Sequence, residues 1–193
     1  YGSSESQGIV RGNTLYHKEL NFTVDLPDGW VLHNLQDRIV GVSSDESQIV
    51  QLMPANLEGK SGQAFLAEQF TDFNNGEVLS ISGASGYTGL ASIDAGSGRR
   101  LASRVAVVNR SPAMSFQMVG YGQNQVPNNA VASIARGIRS LTGDEQKLAS
   151  EKILKTITAK RGDTFAKLAS SSSIDTYAEQ RLRLLNNMYP NGE

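Results

Sequence analysis

The sequence contains no cysteine and only two histidines among its 193 residues. The absence of cysteine excludes disulfides, thiolate catalysis and cysteine-ligated zinc. The histidines, His17 and His33, fall in different predicted strands, and neither belongs to a His-Glu-x-x-His motif or another metal-ligand spacing. We therefore interpret them as strand or surface residues, and we predict no metal site in this chain.

Long apolar runs and an excess of charge of one sign are missing as well. No apolar run approaches the roughly 20 residues that cross a bilayer, so we predict no membrane span in this chain. The 18 Lys and Arg residues balance 19 Asp and Glu residues, and a net charge of -1 gives no strong field for nucleic acid. The segment Tyr1–Gly8 lacks an initiator methionine and a signal-peptide core, and we expect the chain to be a piece of a longer protein.

Sequence motifs for catalysis are also absent. No Gly-x-Ser-x-Gly elbow of a serine hydrolase occurs, and Gly83–Gly86 predicts a β-turn instead. Gly59-Lys60-Ser61 imitates the end of a phosphate-binding loop, but Pro54 stands where that loop requires a glycine. We assign no catalytic residue and no cofactor to this chain, and we predict that it is not itself an enzyme.

Alternating apolar and polar residues predict strands over much of residues 9–121. Before the first predicted helix the strands are Thr14–His17, Phe22–Leu26, Trp30–His33, Arg38–Val42 and Gln48–Met53. After that helix, which spans Ser61–Phe73, they are Val78–Ser82, Tyr87–Ala95, Arg99–Val108 and Met114–Tyr121, with a Gly96–Gly98 hairpin turn and an Asn109–Pro112 turn. A second helix begins at Pro127–Asn129, carries Val131, Ile134, Ala135, Ile138 and Leu141 at helical spacing, and ends near Gly143. The pattern predicts an α+β domain over residues 1–143, with an antiparallel sheet of about 7–8 strands covered by two helices.

The only tryptophan, Trp30, follows a Pro-Asp-Gly turn at the start of a predicted strand. Aromatic side chains can anchor partners, but a single tryptophan in this position is more often part of a core. We therefore predict that Trp30 belongs to the core.

The last part of the sequence predicts a second, smaller unit over residues 155–193, after a polar and helical connector over residues 144–154. A strand is predicted at Lys155–Lys160, and Gly162-Asp163 is predicted to form a turn and to cap a helix through Phe165. After a serine run, Thr176 and Glu179 have the spacing of a capping box that opens another helix.

The segment Ile157–Ala169, with its Gly162-Asp163-Thr164 turn, resembles the opening of a LysM module, and Leu185-Asn186-Asn187 resembles that module's leucine-asparagine corner. The second strand of the module should follow Pro190, so we expect residues 155–193 to form an incomplete strand-helix-helix LysM-like unit that lacks its last strand. LysM modules bind N-acetylglucosamine polymers. The resemblance therefore implies glycan or partner contacts at Gly162, Asp163, Thr164, Phe165, Asn186 and Asn187.

The whole chain resembles the region that follows the peptidase domain in bacterial envelope zinc metallopeptidases related to the CAAX prenyl protease. The resemblance lies in Gln7–Gly12, Tyr16–Phe22, Pro27–Trp30, Gly83–Gly89 and Ile138–Thr142. In that family a PsbP-like α+β domain and a LysM-like tail follow the peptidase domain, in the same order as here. The resemblance implies a periplasmic or envelope location, with the catalytic zinc in a peptidase domain upstream of Tyr1.

Three hypotheses about function follow. The first is a non-catalytic accessory region of a zinc-dependent protease, which positions a substrate or partner and contacts its own peptidase domain or the cell wall. The second is a peptidoglycan-binding module, and the third is a free-standing PsbP-like binding protein with an apolar pocket near Trp30. The first is preferred because both parts of the resemblance occur in the same order along the chain.

Overall fold

The computed structural model describes residues 7–94, 96, 98–111, 114–122, 130–150, 156–172, 174 and 176–190. The chain separates into two compact units, Tyr1–Glu151 and Lys152–Glu193. In the described residues no helix is long and apolar enough to cross a membrane.

The described part of the first unit contains ten strands in two antiparallel sheets. The smaller sheet has the order β1-β2-β3, and the larger one has the order β4-β5-β6-β10-β9-β8-β7. The strands are β1 (Ile9–Arg11), β2 (Thr14–His17), β3 (Phe22–Asp25), β4 (Val31–Asn34), β5 (Ile39–Val42), β6 (Gln48–Ala55), β7 (Asn74–Ile81), β8 (Ala84–Asp94), β9 (Arg100–Ser111) and β10 (Met114–Gly122). The predicted α+β class with a large antiparallel sheet is confirmed. The alternation could not show that the first strands form a sheet of their own, because it identifies strands and not their partners.

The turn between β7 and β8 is tighter than predicted. It is made at Gly83, which has a φ of +67°, and Gly86 lies within β8 opposite Leu79. A Cβ atom at Gly86 would come within 2.6 Å of the Ile81 side chain and 2.9 Å of the Leu79 Cβ. Gly86 is therefore explained by close packing across the hairpin, and the predicted four-residue turn over Gly83–Gly86 is wrong.

Helix α1 (Gly62–Gln69) begins as predicted, because the Ser61 hydroxyl accepts a hydrogen bond from the Ala64 amide at 3.2 Å. The helix ends at Gln69 rather than at Phe73, because Phe70 has an extended backbone. Phe70 and Phe73 still pack, partly buried, against the core beneath this helix.

Helix α2 (Ala130–Gly137) ends well before the predicted position near Gly143. Its predicted start, Pro127–Asn129, lies outside the described residues. Beyond the helix, Arg139 and Thr23 exchange backbone hydrogen bonds of 2.9 and 3.2 Å, so the chain there runs extended against β3. Ile138 and Leu141 are buried as core residues, but they reach the core from this extended segment and not from a helix.

A short helix, α3 (Gly143–Leu148), follows and is held to the rest of the first unit by hydrogen bonds. Thr142 and Glu145 form a complete capping box at its start. At its end, the Leu148 carbonyl accepts a 3.0 Å hydrogen bond from the Arg11 side chain. The predicted helical character of the connector is therefore present in residues 143–148.

The larger sheet has a core on each face. On one face, α2 and the smaller sheet cover a core that includes Leu52, Met118 and Ile134, and Trp30 is packed against it partly buried. On the other face, α1 lies over β8 and β9 and buries Leu66 against Val105 and Val107. Trp30 thus belongs to the margin of this core, as predicted.

The described part of the second unit contains two helices, α4 (Phe165–Ser170) and α5 (Ala178–Leu185). The strand predicted at Lys155–Lys160 is wrong for the described residues 156–160, all of which are exposed and form no strand; Lys155 lies outside the described residues. A strand needs a partner for its backbone groups, and no strand in the described part of this unit supplies one. The predicted capping box is also wrong, because α5 has Tyr177 as its N-cap, in a left-handed conformation without a side-chain cap.

Candidate functional site

Helix α1 packs on one face of the larger sheet, but it covers only one half of that face. Cross-strand neighbours place Val31, Val42, Ile49 and Tyr121 in one row across β4, β5, β6 and β10. A second row places His33, Val40 and Gln51 beside it. We call these seven residues the open face. All of them are half-buried or exposed, whereas Val50 and Leu52, which point to the opposite side of β6, are buried.

The open face combines apolar side chains with a short chain of polar ones. Arg38 donates a 3.2 Å hydrogen bond to the Gln51 side-chain oxygen, and Gln51 donates a 3.2 Å hydrogen bond to the Tyr121 hydroxyl. Asp37 fixes the other side of the Arg38 guanidinium at 2.6 Å, and this hydrogen bond raises the pKa of Arg38 further above its usual range. The side chains therefore form a pre-ordered polar line across an apolar surface, an arrangement that suits binding with a defined orientation.

A cleft of about 330 Å³ lies at one end of the open face. Its described lining consists of Glu46, Ser47, Ile49, Arg99, Leu101, Tyr121 and Gly122. Ile49, Leu101 and Tyr121 supply apolar surface, while Arg99 and Glu46 supply charges of opposite sign. The cleft is on the opposite side of the sheet from the core against which Trp30 packs, and the pocket near Trp30 stays a prediction.

The turn between β5 and β6 beside this cleft is rigidly hydrogen-bonded. The Asp45 carboxylate accepts hydrogen bonds from the Ser43 hydroxyl at 2.6 Å and from the Ser47 hydroxyl and amide. These hydrogen bonds, with that from Ser43 the largest contribution, lower the pKa of Asp45 to about 2. Asp45 is thus explained by the turn that it stabilises.

Two other residues considered for chemistry, His17 and Lys60, have structural partners. His17 is buried and stacks on Phe22 with ring centroids 5.2 Å apart. Lys60, the lysine of the phosphate-loop imitation, forms ion pairs with Glu68 at 2.7 Å and with Glu58 at 3.6 Å. Within the described residues, no group of three His, Asp or Glu side chains is arranged to hold a metal ion.

One side-chain contact joins the start of α4 to the last turn of α5. The Arg183 guanidinium lies 5.0 Å from the centroid of the Phe165 ring, one turn before Asn186 and Asn187. Of the predicted contact residues, this places Phe165 beside the last turn of α5.

Several polar groups of the LysM-like motifs form local hydrogen bonds within the second unit. Thr164, not Asp163, caps α4 by accepting a 3.3 Å hydrogen bond from the Lys167 amide, so the predicted Asp163 cap is wrong. Asp163 instead accepts a 2.8 Å hydrogen bond from the Lys160 amide, and the Asn186 side chain donates to the Leu182 carbonyl at 2.8 Å. Glycan contact at these residues stays a prediction.

The open face had no signal in the sequence that could have identified it. Its apolar residues occur in alternating strands like any half-buried strand, and their exposure depends on where α1 ends and packs. The polar line is equally hidden, because Arg38, Gln51 and Tyr121 come from three separate strands or turns and from distant positions in the sequence.

No family model matches this sequence, and no curated protein matches it. Seven chains of solved structures match. A crystal structure from Bacteroides thetaiotaomicron has 8% identity and a TM-score of 0.49, over 70% of this chain and 50% of that chain. The solution structure of cyanobacterial PsbP (CyanoP) from Synechocystis has 9% identity and a TM-score of 0.49, over 69% of this chain and 96% of that chain. The structures similar to this chain thus include a PsbP protein, and this chain spans half of the Bacteroides protein.

Proposed function

We propose that this chain is a non-catalytic accessory region of a periplasmic or envelope-associated zinc-dependent protease, and that its open face binds a polypeptide segment of the substrate or of a partner. The proposal is carried by one observation: α1 covers only one half of its face of the larger sheet. The other half presents Val31, Val42 and Ile49 in a row that ends in the cleft. The protease assignment rests on the sequence resemblance alone.

An extended polypeptide is the ligand class that this surface fits best. Side chains on one face of the sheet repeat along each strand at every second residue, so an extended segment can place alternate side chains on successive apolar positions. The Arg38–Gln51–Tyr121 line offers polar atoms to the segment's backbone, and Arg99 and Glu46 at the cleft offer contacts to charged ends or side chains.

The zinc of the proposed protease is assigned to the upstream peptidase domain. The described residues bring together no set of side chains that fits a metal ion, and the chain has no cysteine. In this arrangement the accessory region would raise the local concentration of a polypeptide near a catalytic site that it does not itself contain.

Replacing Val31 and Ile49 by glutamine should weaken the binding of an unfolded polypeptide about tenfold, because two apolar contacts of the open face are lost. The probe is permanently unfolded, carboxymethylated α-lactalbumin, and the measurement is fluorescence anisotropy. Val78→Gln is the matched control, because Val78 is exposed on β7 at the far edge of the same sheet. Equal affinity of the double variant and the control would contradict the assignment of the open face, provided that their circular dichroism spectra agree with that of the parent chain.

The protease assignment is tested separately with the gene segment upstream of Tyr1. The extended protein should hydrolyse casein in a zinc-dependent manner, and deletion of the present region should reduce that hydrolysis. Proteolysis by the present chain alone, or an upstream segment without a His-Glu-x-x-His motif, would contradict the assignment.

A further inference from the structure

Helix α5 exposes its apolar side chains instead of burying them. Ala178 and Leu182 are half-buried on the side that includes Arg183, which contacts Phe165 of α4. Arg181, Leu184 and Leu185 have the spacing of one helix face and are exposed, and so are Tyr177 at the N-cap and Met188 beyond the end of the helix. A surface helix normally places polar residues there, so this apolar face is unusual.

Exposed apolar and aromatic side chains lie on the last turn of the helix and directly before and after the helix. They have exposed fractions between 40% and 74% and are Tyr177, Leu184, Leu185, Met188 and Tyr189. We call these residues the tail stripe. Tyrosines stand at both ends of the stripe and aliphatic side chains lie between them. Tyrosine favours the boundary between an apolar medium and water, because its ring is apolar and its hydroxyl is polar.

The second unit also differs from the first in the sign of its charge. Residues Lys152–Glu193 include seven Lys or Arg and four Asp or Glu, a net charge of +3. Residues Tyr1–Glu151 include eleven Lys or Arg and fifteen Asp or Glu, a net charge of -4. The near-neutral total therefore conceals a basic unit that carries an exposed apolar stripe.

We infer that the tail stripe docks on an anionic lipid surface. Leu184, Leu185 and Met188 would enter the boundary between headgroups and acyl chains, with the tyrosines at headgroup level. Arg181 lies within the same helix face and can extend its guanidinium to the lipid phosphates. Apolar burial and attraction to negative charge are the two contributions that hold interfacial helices on membranes. The acidic first unit supplies no such attraction, so the second unit determines the attachment.

The inference is tested with the full chain and unilamellar vesicles of equal parts phosphatidylcholine and phosphatidylglycerol. We expect the chain to sediment with these vesicles at low salt and to be released from them when the salt concentration is raised. It should not sediment with vesicles of phosphatidylcholine alone. Leu184→Gln combined with Leu185→Gln should lower the partition coefficient at least about tenfold, while Val78→Gln should leave it unchanged. Both leucines are exposed, so the double variant should keep the circular dichroism spectrum of the parent chain.

Absence of the chain from the vesicle pellet would overturn the inference, as would equal retention of the double variant. A further outcome against it is self-association, measured by analytical ultracentrifugation, that the leucine substitutions abolish without any retention on vesicles. The stripe would then be an interface between copies of the chain. The open-face variant with Val31→Gln and Ile49→Gln should retain full vesicle binding, which keeps this test independent of polypeptide binding.

Discussion

Replacing Phe22 by alanine should lower the free energy of unfolding of the first unit by about 3–5 kcal/mol. Phe22 belongs to β3 of the smaller sheet, and its side chain is only 2% exposed. Its ring lies 4.8 Å from that of Phe116 on β10 of the larger sheet and 5.2 Å from that of His17. Removal of the ring leaves a cavity between the two sheets that aromatic neighbours cannot fill without moving the strands.

Urea denaturation followed by circular dichroism measures this loss as a lower midpoint with an unchanged slope. Leu20→Ala is the control, because Leu20 is 44% exposed in the turn just before β3 and should change the stability by less than about 0.5 kcal/mol. A loss below about 1 kcal/mol for Phe22→Ala would show that the two sheets are not held together by this contact.

Glu145→Gln should lower the free energy of unfolding by about 1–2 kcal/mol at pH 7, a value limited by solvent screening of the half-exposed Arg139 guanidinium. Glu145 accepts hydrogen bonds from both terminal nitrogens of Arg139, at 2.7 and 2.6 Å, and from the Thr142 amide at 2.8 Å. The glutamine side chain keeps the shape but loses the charge, so both hydrogen bonds to the guanidinium become weaker. The backbone of Arg139 is itself bonded to Thr23, so the network connects α3 with β3.

This stabilisation should disappear in acid. The hydrogen bond from Arg139, followed by that from the Thr142 amide, lowers the pKa of Glu145 from its usual 4.5 to about 2 in the folded chain. A lowered folded-state pKa stabilises the fold fully above the unfolded pKa, and this contribution is lost as the pH falls from about 5 toward 2. Urea denaturation at pH 7 and at pH 2.5 should therefore show a large difference between parent and variant at the first pH only.

Asp144→Asn supplies the matched control for this prediction. Asp144 is the next residue in the first turn of α3, but its ion pair with Lys147 is highly exposed and should contribute little. A difference between Glu145→Gln and the parent that stays the same at both pH values would contradict the role given to the Glu145 charge.

The sequence was sufficient for elements that depend on neighbouring residues. The predicted strands β2 to β6 lie within one to two residues of their observed positions, because alternation along a strand needs only the residues of that strand. The start of α1 at Ser61 was predicted correctly for the same reason, since an N-cap acts over three residues.

Predictions were wrong where a distant partner decides the local conformation. Ile138 and Leu141 continue the helical spacing of α2, yet the hydrogen bonds between Arg139 and Thr23 pull this segment into an extended path. The apolar pattern predicted correctly that Ile138 and Leu141 are buried, but it did not predict their backbone conformation. The same spacing of apolar residues is compatible with a helix and with the observed extended segment. In the tail, residues 156–160 have the composition of a strand, but the described part of their unit contains no strand to pair with.

The sequence alone determined the α+β class, the order of most elements and the near-neutral total charge, because these follow from composition and from spacings of a few residues. Only the tertiary structure decided which side chains stay exposed. The open face exists because α1 packs on β8 and β9 and leaves the apolar row from Val31 to Tyr121 beside it, and the tail stripe exists because α5 turns its other side toward α4. The open face depends on the packing of elements far apart in the chain, and the tail stripe depends on which side of α5 packs against α4; the spacing of apolar residues alone contains neither fact.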